Sequence, residues 1–247
     1  MYKTLNALVL REARYKEADR ILTLLTDTDG KLTVKARGAL RKSSRTAAAT
    51  QQLIYSEMTL FGNRGRWTVN EAAVKETFSG LREDMEHLAL GAYFAECLEA
   101  FSVEEQAEPE ILQLGLNSLY ALSRGLYTQE KLKAAFELRL MCLTGYMPET
   151  TQCAVCGKEP EDPILSIDLG RVFCRRCKQN AGDVSGLGTD ALKAMRYICE
   201  SSPKQFLRFS IGENETLQLG DAAERYLLQR AERTFSTLEY WKNLRRT

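Results

Sequence analysis

The 247-residue chain contains one histidine, His87, beside Glu86. Catalysis built on a Ser–His or Cys–His pair would have to run through it, yet no neighbouring sequence feature recommends it for that work. A place on a helix surface is the plainer assignment. Also missing are the Gly-x4-Gly-Lys-Ser/Thr loop, a Gly-x-Gly-x2-Gly turn after a strand, His-Glu-x2-His and Gly-x-Ser-x-Gly. Nucleotide hydrolysis, dinucleotide binding, zinc peptidase chemistry and serine hydrolysis therefore have no motif behind them. A carboxylate-only nuclease leaves no such motif and stays open, although the N-terminal region is poor in paired acids. No apolar run reaches the roughly eighteen residues of a membrane span. Met1-Tyr-Lys-Thr has no signal-peptide organisation, so the expectation is a cytoplasmic protein without membrane contact. There is no internal repeat, and net charge is nearly absent at +1.

What the chain does have is cysteine in a pattern. Cys153-Ala-Val-Cys156 and Cys174-Arg-Arg-Cys177 face each other across seventeen residues. Two Cys-x2-Cys knuckles at this separation supply the four soft ligands of a tetrahedral zinc ion. Disulfides would need an oxidising compartment, and a redox Cys-x2-Cys would need one knuckle at the start of a helix. Zinc fits better than either. With four thiolates no position is left for water, so the ion is expected to be structural and to fold its segment with a binding free energy on the order of 10 kcal/mol. Between the knuckles, Ile164, Leu165 and Ile167 lead to an Asp168-Leu169-Gly170 turn, and Val172-Phe173 returns, which reads as a hairpin. Gly157 relieves crowding where the chain leaves the first knuckle. Cys97, Cys142 and Cys199 lie among apolar helical residues and are read as small core side chains.

The 44% hydrophobic content is enough to fill two or three modest cores. Residues 3 to 76 read as five strands. Leu5, Ala7 and Val9 alternate in the first and Ile21, Thr23 and Leu25 in the second. Asp27-Thr28-Asp29-Gly30 turns into Leu32-Val34-Ala36. Leu40 to Gln52, rich in alanine and basic residues, is expected to be partly helical. Ile54 to Phe61 is the fourth strand, and Gly62-Asn63-Arg64-Gly65 turns into Trp67-Thr68-Val69. Five short strands with an insertion after the third give the rhythm of an OB-type barrel, with an SH3-like barrel as the alternative.

From Leu81 the period changes to three and four residues. One helix is expected to end near Phe101, a second to start at Pro109, and a third to carry Leu132, Phe136, Leu140 and Leu143 up to Gly145. A fourth, capped by Thr189 or Ser185, runs through Leu192, Met195 and Ile198. Phe206 to Leu219 is expected to be extended or irregular around a Gly212-Glu-Asn214 turn, and a last helix to span Ala222 to about Leu244. The expected division is residues 1–79 as the barrel and 80–247 as an α-helical domain, α+β overall, with a zinc-binding insertion at about 150–182.

Charge is unevenly spread. Basic side chains outnumber acidic ones in residues 1–80, and the reverse holds for 81–150. Lys31, Lys35, Arg37, Arg41, Lys42, Arg45, Arg64 and Arg66 are opposed over their span only by Glu57. Period-two alternation puts Lys31, Lys35 and Arg37 on the outer face if Leu32, Val34 and Ala36 face inward. Such a surface attracts phosphate backbones through counterion release, and Trp67 and Phe61 are near enough in sequence to offer a stacking face, the alternative being that one or both belong to the core. The bland alternative is a solvated basic loop.

Two stretches carry a resemblance. Glu17-Ala-Asp19-Arg20-Ile-Leu-Thr-Leu-Leu-Thr, followed by Gly30-Lys31 and Lys35-Ala-Arg37-Gly-Ala, is one. Phe136-Glu-Leu-Arg139-Leu, running into Gly145-Tyr-Met-Pro148 and Cys153-x2-Cys156-Gly157, is the other. In this order and spacing they resemble the RecO family of bacterial DNA repair proteins over nearly the whole chain. The resemblance implies an OB barrel, a helical domain and a zinc hairpin held by Cys153, Cys156, Cys174 and Cys177. It further implies a recombination mediator that binds single- and double-stranded DNA and anneals complementary strands. Implied partners are RecR and the C-terminal tail of the single-strand-binding protein, with RecA helped onto the DNA. DNA contact falls to the basic barrel residues, Lys35, Arg37, Arg41, Lys42 and Arg45 foremost. The family often has Lys-Ser-Arg followed by a bulky residue, whereas here Lys42-Ser43-Ser44-Arg45 precedes Thr46 and three alanines. A site for the acidic tail would need an apolar groove beside a cation, for which Arg124, Lys131, Lys133 and Arg139 are the candidates. The reading is thus a non-enzymatic mediator, against a zinc-containing protein adaptor or a metal-dependent nuclease.

Overall fold

The computed structural model describes residues 1–246. Five strands, β1 (Tyr2–Tyr15), β2 (Asp19–Thr26), β3 (Gly30–Ala36), β4 (Tyr55–Asn63) and β5 (Arg66–Glu76), form a closed barrel in the order β1-β2-β3-β5-β4. Every neighbouring pair is antiparallel except β3 with β5, which run parallel and pair only at Val34 with Trp67 and Lys35 with Thr68. Leu5, Ala7, Val9, Leu22, Leu24, Leu32, Val34, Met58, Leu60 and Val69 fill the interior. This closed five-stranded barrel is OB-like and leaves no long unpaired edge.

The second strand departs from its expected phase. Leu22 and Leu24 point inward, not Ile21, Thr23 and Leu25. Leu25 sits opposite Leu8 on the outer face, and both are fully buried because α1 and α2 pack over β1 and β2 there. A strand covered on both faces loses the alternation that reveals its phase. The stretch from Leu40 to Gln52 is a series of turns, not a helix. Its carbonyls are taken by the barrel: Arg20 Nη1 donates to the Ala47 oxygen at 2.9 Å and Ser56 Oγ to the Ala49 oxygen at 3.0 Å.

Helices follow. They are α1 (Met85–Phe101), α2 (Pro109–Ser123), α3 (Gln129–Leu143), α4 (Thr189–Glu200), α5 (Glu213–Ala231) and α6 (Ser236–Leu244). The Asp84 carboxylate caps α1 by accepting from the Glu86 and His87 N–H groups, and Pro109 opens α2, where its missing donor costs nothing. Two compact units result. One comprises Met1–Arg124 and the C-terminal segment from Phe235; the other is Gly125–Thr234. In the first, α6 packs on α1, with Phe235 edge-on to Tyr93 at 5.7 Å. In the second, α3, α4 and α5 pack together beside a small sheet of β6 (Pro163–Ser166), β7 (Arg171–Cys174) and β8 (Val184–Gly186), ordered β7-β6-β8.

Three further expectations are corrected in the C-terminal half. The N-cap of α4 is Gly188, since Ser185 lies in β8 and donates to Asp221 at 2.7 Å. Gly212 starts α5 where a turn between extended segments was expected, with Glu213 and Glu215 placed favourably at the positive end of the helix dipole. The expected long terminal helix is two helices. Glu232 adopts a left-handed conformation that ends α5, and the chain turns to bury Phe235 completely.

The core of the second unit contains a charge. Lys133 is only 4% exposed, and its ammonium lies 2.8 Å from both Glu137 and Glu224. Burial works against that charge, but the two carboxylates overcome it and hold the lysine above its ordinary range. Lys133→Met would leave two carboxylates facing each other without a counter-ion. We expect it to lower the stability of this unit by about 3–5 kcal/mol in urea titrations. A loss below about 1 kcal/mol would mean that the triad is solvated.

Candidate nucleic-acid interface and metal centre

One groove stands out on the barrel. It has a volume of about 920 Å³ and is lined by Tyr15 at the end of β1, Ile21 of β2, Thr33 to Lys35 and Arg37 on and after β3, and Phe61, Asn63 to Thr68 around the β4–β5 turn. Lys35, Arg37, Arg64 and Arg66 bring cationic heads to it, and no acidic side chain is among its lining residues. The turn is tight enough that Arg64 and Gly65 both take positive φ, which lifts Arg64 and Arg66 into solvent. Lys35 stacks over the Tyr15 ring at 4.8 Å and pairs with Asp19 at 2.8 Å. That ammonium and the Gly38 N–H hold the Asp19 carboxyl below the usual carboxylate range.

The structure therefore gathers half of the eight barrel cations into one groove. Lys31 goes elsewhere: its ammonium donates to the Glu99 carbonyl at 3.0 Å, in the last turn of α1, where the helix dipole favours a cation. Arg41, Lys42 and Arg45 are exposed on the loop after β3 and do not line the groove. Trp67 lines it but is half-buried, packed against the barrel core. Its ring packs on Gly62, where a Cβ would come within 2.6 Å of it. Tyr15 escaped the sequence reading, although an aromatic between Arg14 and Lys16 just before a turn was a legible signal.

In the second unit the four knuckle cysteines converge. Their sulfurs all lie within 4.8 Å of one another, with Cys156 and Cys174 at 3.8 Å. Sulfurs bound about 2.3 Å from one tetrahedral ion would be about 3.8 Å apart, so the set fits a zinc site. Local folding aims them. Gly157 takes φ +68°, which lets the first knuckle close through a Gly157 N–H to Cys153 carbonyl bond of 2.9 Å. The Cys174 N–H donates to Cys153 Sγ at 3.3 Å and the Glu161 N–H to Cys174 Sγ at 3.4 Å. Burial pushes the Cys153 thiol up, but the N–H groups of Cys156, Cys174 and Val155 outweigh it and bring the thiol down to about 6. Cys177 is pushed up to about 11, by burial and by the neighbouring sulfurs. Thiolates this close repel one another, and a dication in their midst removes the conflict. Arg196 of α4 props the approach to the first knuckle, donating to the Thr150 and Thr151 carbonyls at 2.6 and 3.1 Å.

The family model described as Recombination protein O N terminal matches residues 1–78, and Recombination protein O C terminal matches residues 82–239. The chain belongs to the RecO family. It is 33% identical to DNA repair protein RecO of Acetivibrio thermocellus over 99% of this chain and 98% of that one. The RecO of Symbiobacterium thermophilum is 30% identical over 97% and 96%, and that of Desulforudis audaxviator 42% identical over 72% and 70%. Membership in the RecO family carries a role in DNA repair and recombination.

Seen in this RecO-family chain, the helical candidates separate. Lys133 is interior and committed to two carboxylates, so it is not available to a partner. Arg139 is turned inward too, donating to the Cys199 carbonyl at 2.7 Å. Arg124 is exposed at the end of α2, 5.6 Å from the Tyr120 ring. Lys131 is half-buried between the rings of Tyr127 and Phe209, at 4.6 and 4.5 Å, and this burial lowers its pKa. Among the described residues no helix is long and apolar enough to cross a membrane.

The cysteine centre makes a direct prediction. Purified protein should carry one divalent ion per chain by elemental analysis, and chelation should lower the melting temperature of the Gly125–Thr234 unit. Full-length protein stripped of metal with an unchanged thermogram would show that these thiols do not organise a metal-dependent fold.

Proposed function

We propose that this chain is a non-enzymatic recombination mediator that uses the barrel groove to bind DNA and bring complementary strands together. The observation that carries this reading is the groove itself, where Lys35, Arg37, Arg64 and Arg66 converge and no acidic side chain is among the lining residues, Asp19 pairing with Lys35 from outside the lining. Phosphate repulsion is what resists the approach of two strands, and cations held on a rigid barrel lower it. The exposed Arg41, Lys42 and Arg45 extend the field toward the same anion from the neighbouring loop. The groove faces outward between the end of β1 and the β4–β5 turn, the side on which OB folds take oligonucleotides.

In this reading the barrel, residues 1–79, binds single- and double-stranded DNA. The remainder is the helical, zinc-bearing part that docks proteins in the bacterial cytoplasm. Zinc at Cys153, Cys156, Cys174 and Cys177 is structural: four sulfurs complete its coordination, so its contribution is to hold the β6–β7 hairpin closed. RecR and the acidic tail of the single-strand-binding protein are the proposed protein partners, with RecA the beneficiary. Arg124, exposed at the end of α2, is the helical cation proposed to meet an acidic tail. No nucleotide is consumed in this mechanism.

The test is annealing of complementary oligonucleotides coated with single-strand-binding protein, without ATP and over a salt series. Acceleration that declines with salt is expected. Arg64→Ala/Arg66→Ala should weaken binding to both DNA forms and flatten the salt dependence by about 0.7–0.9 per lost phosphate contact. An unchanged salt slope would remove the groove from DNA binding. Shortening of the labelled strands with magnesium would make the protein a nuclease instead.

A further inference from the structure

The groove continues past its cationic part onto an aromatic shelf. Strand register links five outward-facing residues in one row across the barrel: Tyr2 lies opposite Phe61, Phe61 opposite Thr68, Thr68 opposite Lys35, and Lys35 opposite Ile21. Adjacent strands are about 4.8 Å apart, so Tyr2 stands about 14 Å from Lys35 along this row. Phe61 lines the groove, and Tyr2 stands beside it with ring centroids 5.1 Å apart. The two residues are 37% and 64% exposed, respectively.

Of the aromatics near the groove, Tyr2 and Phe61 are exposed and pair with each other, not with a cation. Tyr15 has Lys35 over its ring at 4.8 Å and Lys16 at 5.6 Å. Trp67 is seated on Gly62 and the barrel core. Packing does not explain Tyr2 and Phe61, because neither belongs to the barrel interior. We infer that Tyr2 and Phe61 are stacking residues for unpaired bases, so that a single DNA strand crosses the barrel from the Lys35–Arg66 cations to the Phe61–Tyr2 shelf.

This rests on the reading of the groove as a DNA site and adds its substrate preference. Cations neutralise the phosphates of a duplex and of a single strand alike. An aromatic face, in contrast, meets a base only where that base is unstacked, and a duplex keeps its base faces hidden. The shelf is thus the part of the site that distinguishes unpaired from paired DNA, and it keeps bases ordered next to cations that a second strand can share.

The experiment compares full-length parent, Tyr2→Ala, Phe61→Leu, and Arg64→Ala/Arg66→Ala by fluorescence anisotropy. The probes are a labelled oligothymidylate and a duplex of the same length, each over a salt series. Tyr2→Ala and Phe61→Leu should each weaken single-strand binding roughly ten-fold, with duplex affinity and both salt slopes unchanged, because stacking releases no counterions. Photocrosslinking of an iodouracil-substituted strand should attach to the peptides containing Tyr2 and Phe61. Equal losses for duplex and single strand would overturn the inference, as would unchanged single-strand affinity. So would intact DNA binding with slower annealing of coated strands, which would make the shelf a protein contact. If the arginine variant fails to alter binding, the groove reading falls; if only the aromatic variants fail, the groove stands and the shelf does not. Tyr2→Ala carries the test alone should Phe61→Leu melt early, since Tyr2 lies mostly in solvent.

Discussion

The barrel closes on two residue pairs, Val34 with Trp67 and Lys35 with Thr68, and the cationic groove depends on that closure. Parallel strands distant in sequence meet here with few ladder bonds, so closure is held mainly by the apolar interior and by Trp67 wedged over Gly62. Because β5 lies against β3, the β4–β5 turn with Arg64 and Arg66 comes to stand beside Lys35 and Arg37. Were β5 paired only with β4, these cations would belong to separate surfaces. Their mutual repulsion is tolerable because they are exposed or paired, as Lys35 is with Asp19.

The second unit solves a different problem. Its sheet of three very short strands buries little apolar area, and Cys153, Ile164, Phe173, Cys174 and Ala181 form only a small cluster. A metal ion held by the four converging sulfurs would supply what that core lacks. Backbone N–H groups already favour the thiolate at Cys153, whereas burial and the neighbouring sulfurs hold Cys174 up, a conflict that a bound cation would relieve. Nearby, the Lys133–Glu137–Glu224 triad puts charge into the helical core, where its geometry ties α3 to α5. Removing one partner of such a triad leaves a buried charge uncompensated, which costs more than the intact triad contributes.

Local patterns proved legible where one periodicity ruled. The knuckles, the β6–β7 hairpin, the inward face of β1 and β3, and helices α1 to α3 could all be read from spacing and turn residues. The phase of β2 could not, since Leu22, Leu24 and Leu25 are buried on opposite faces by different elements. The turns after β3 looked helical because alanine favours a helix, but the barrel takes their carbonyls. The stop at Glu232 has no Gly or Pro to announce it and follows from the burial of Phe235 against Tyr93.

By itself the sequence determined the four cysteines of the candidate metal centre, the barrel's strand count and the excess of cations in the first third of the chain. These are matters of residue type and short-range spacing, which survive without knowledge of what packs where. Only the tertiary structure decided which cations act together. Lys31 and Lys35 share a strand face, yet one is drawn to the α1 C-terminus while the other lines one groove with Arg66, which is far away in sequence. It also decided that Lys133 is interior and that Tyr2 is Phe61's neighbour, because burial and cross-strand register are properties of the closed fold.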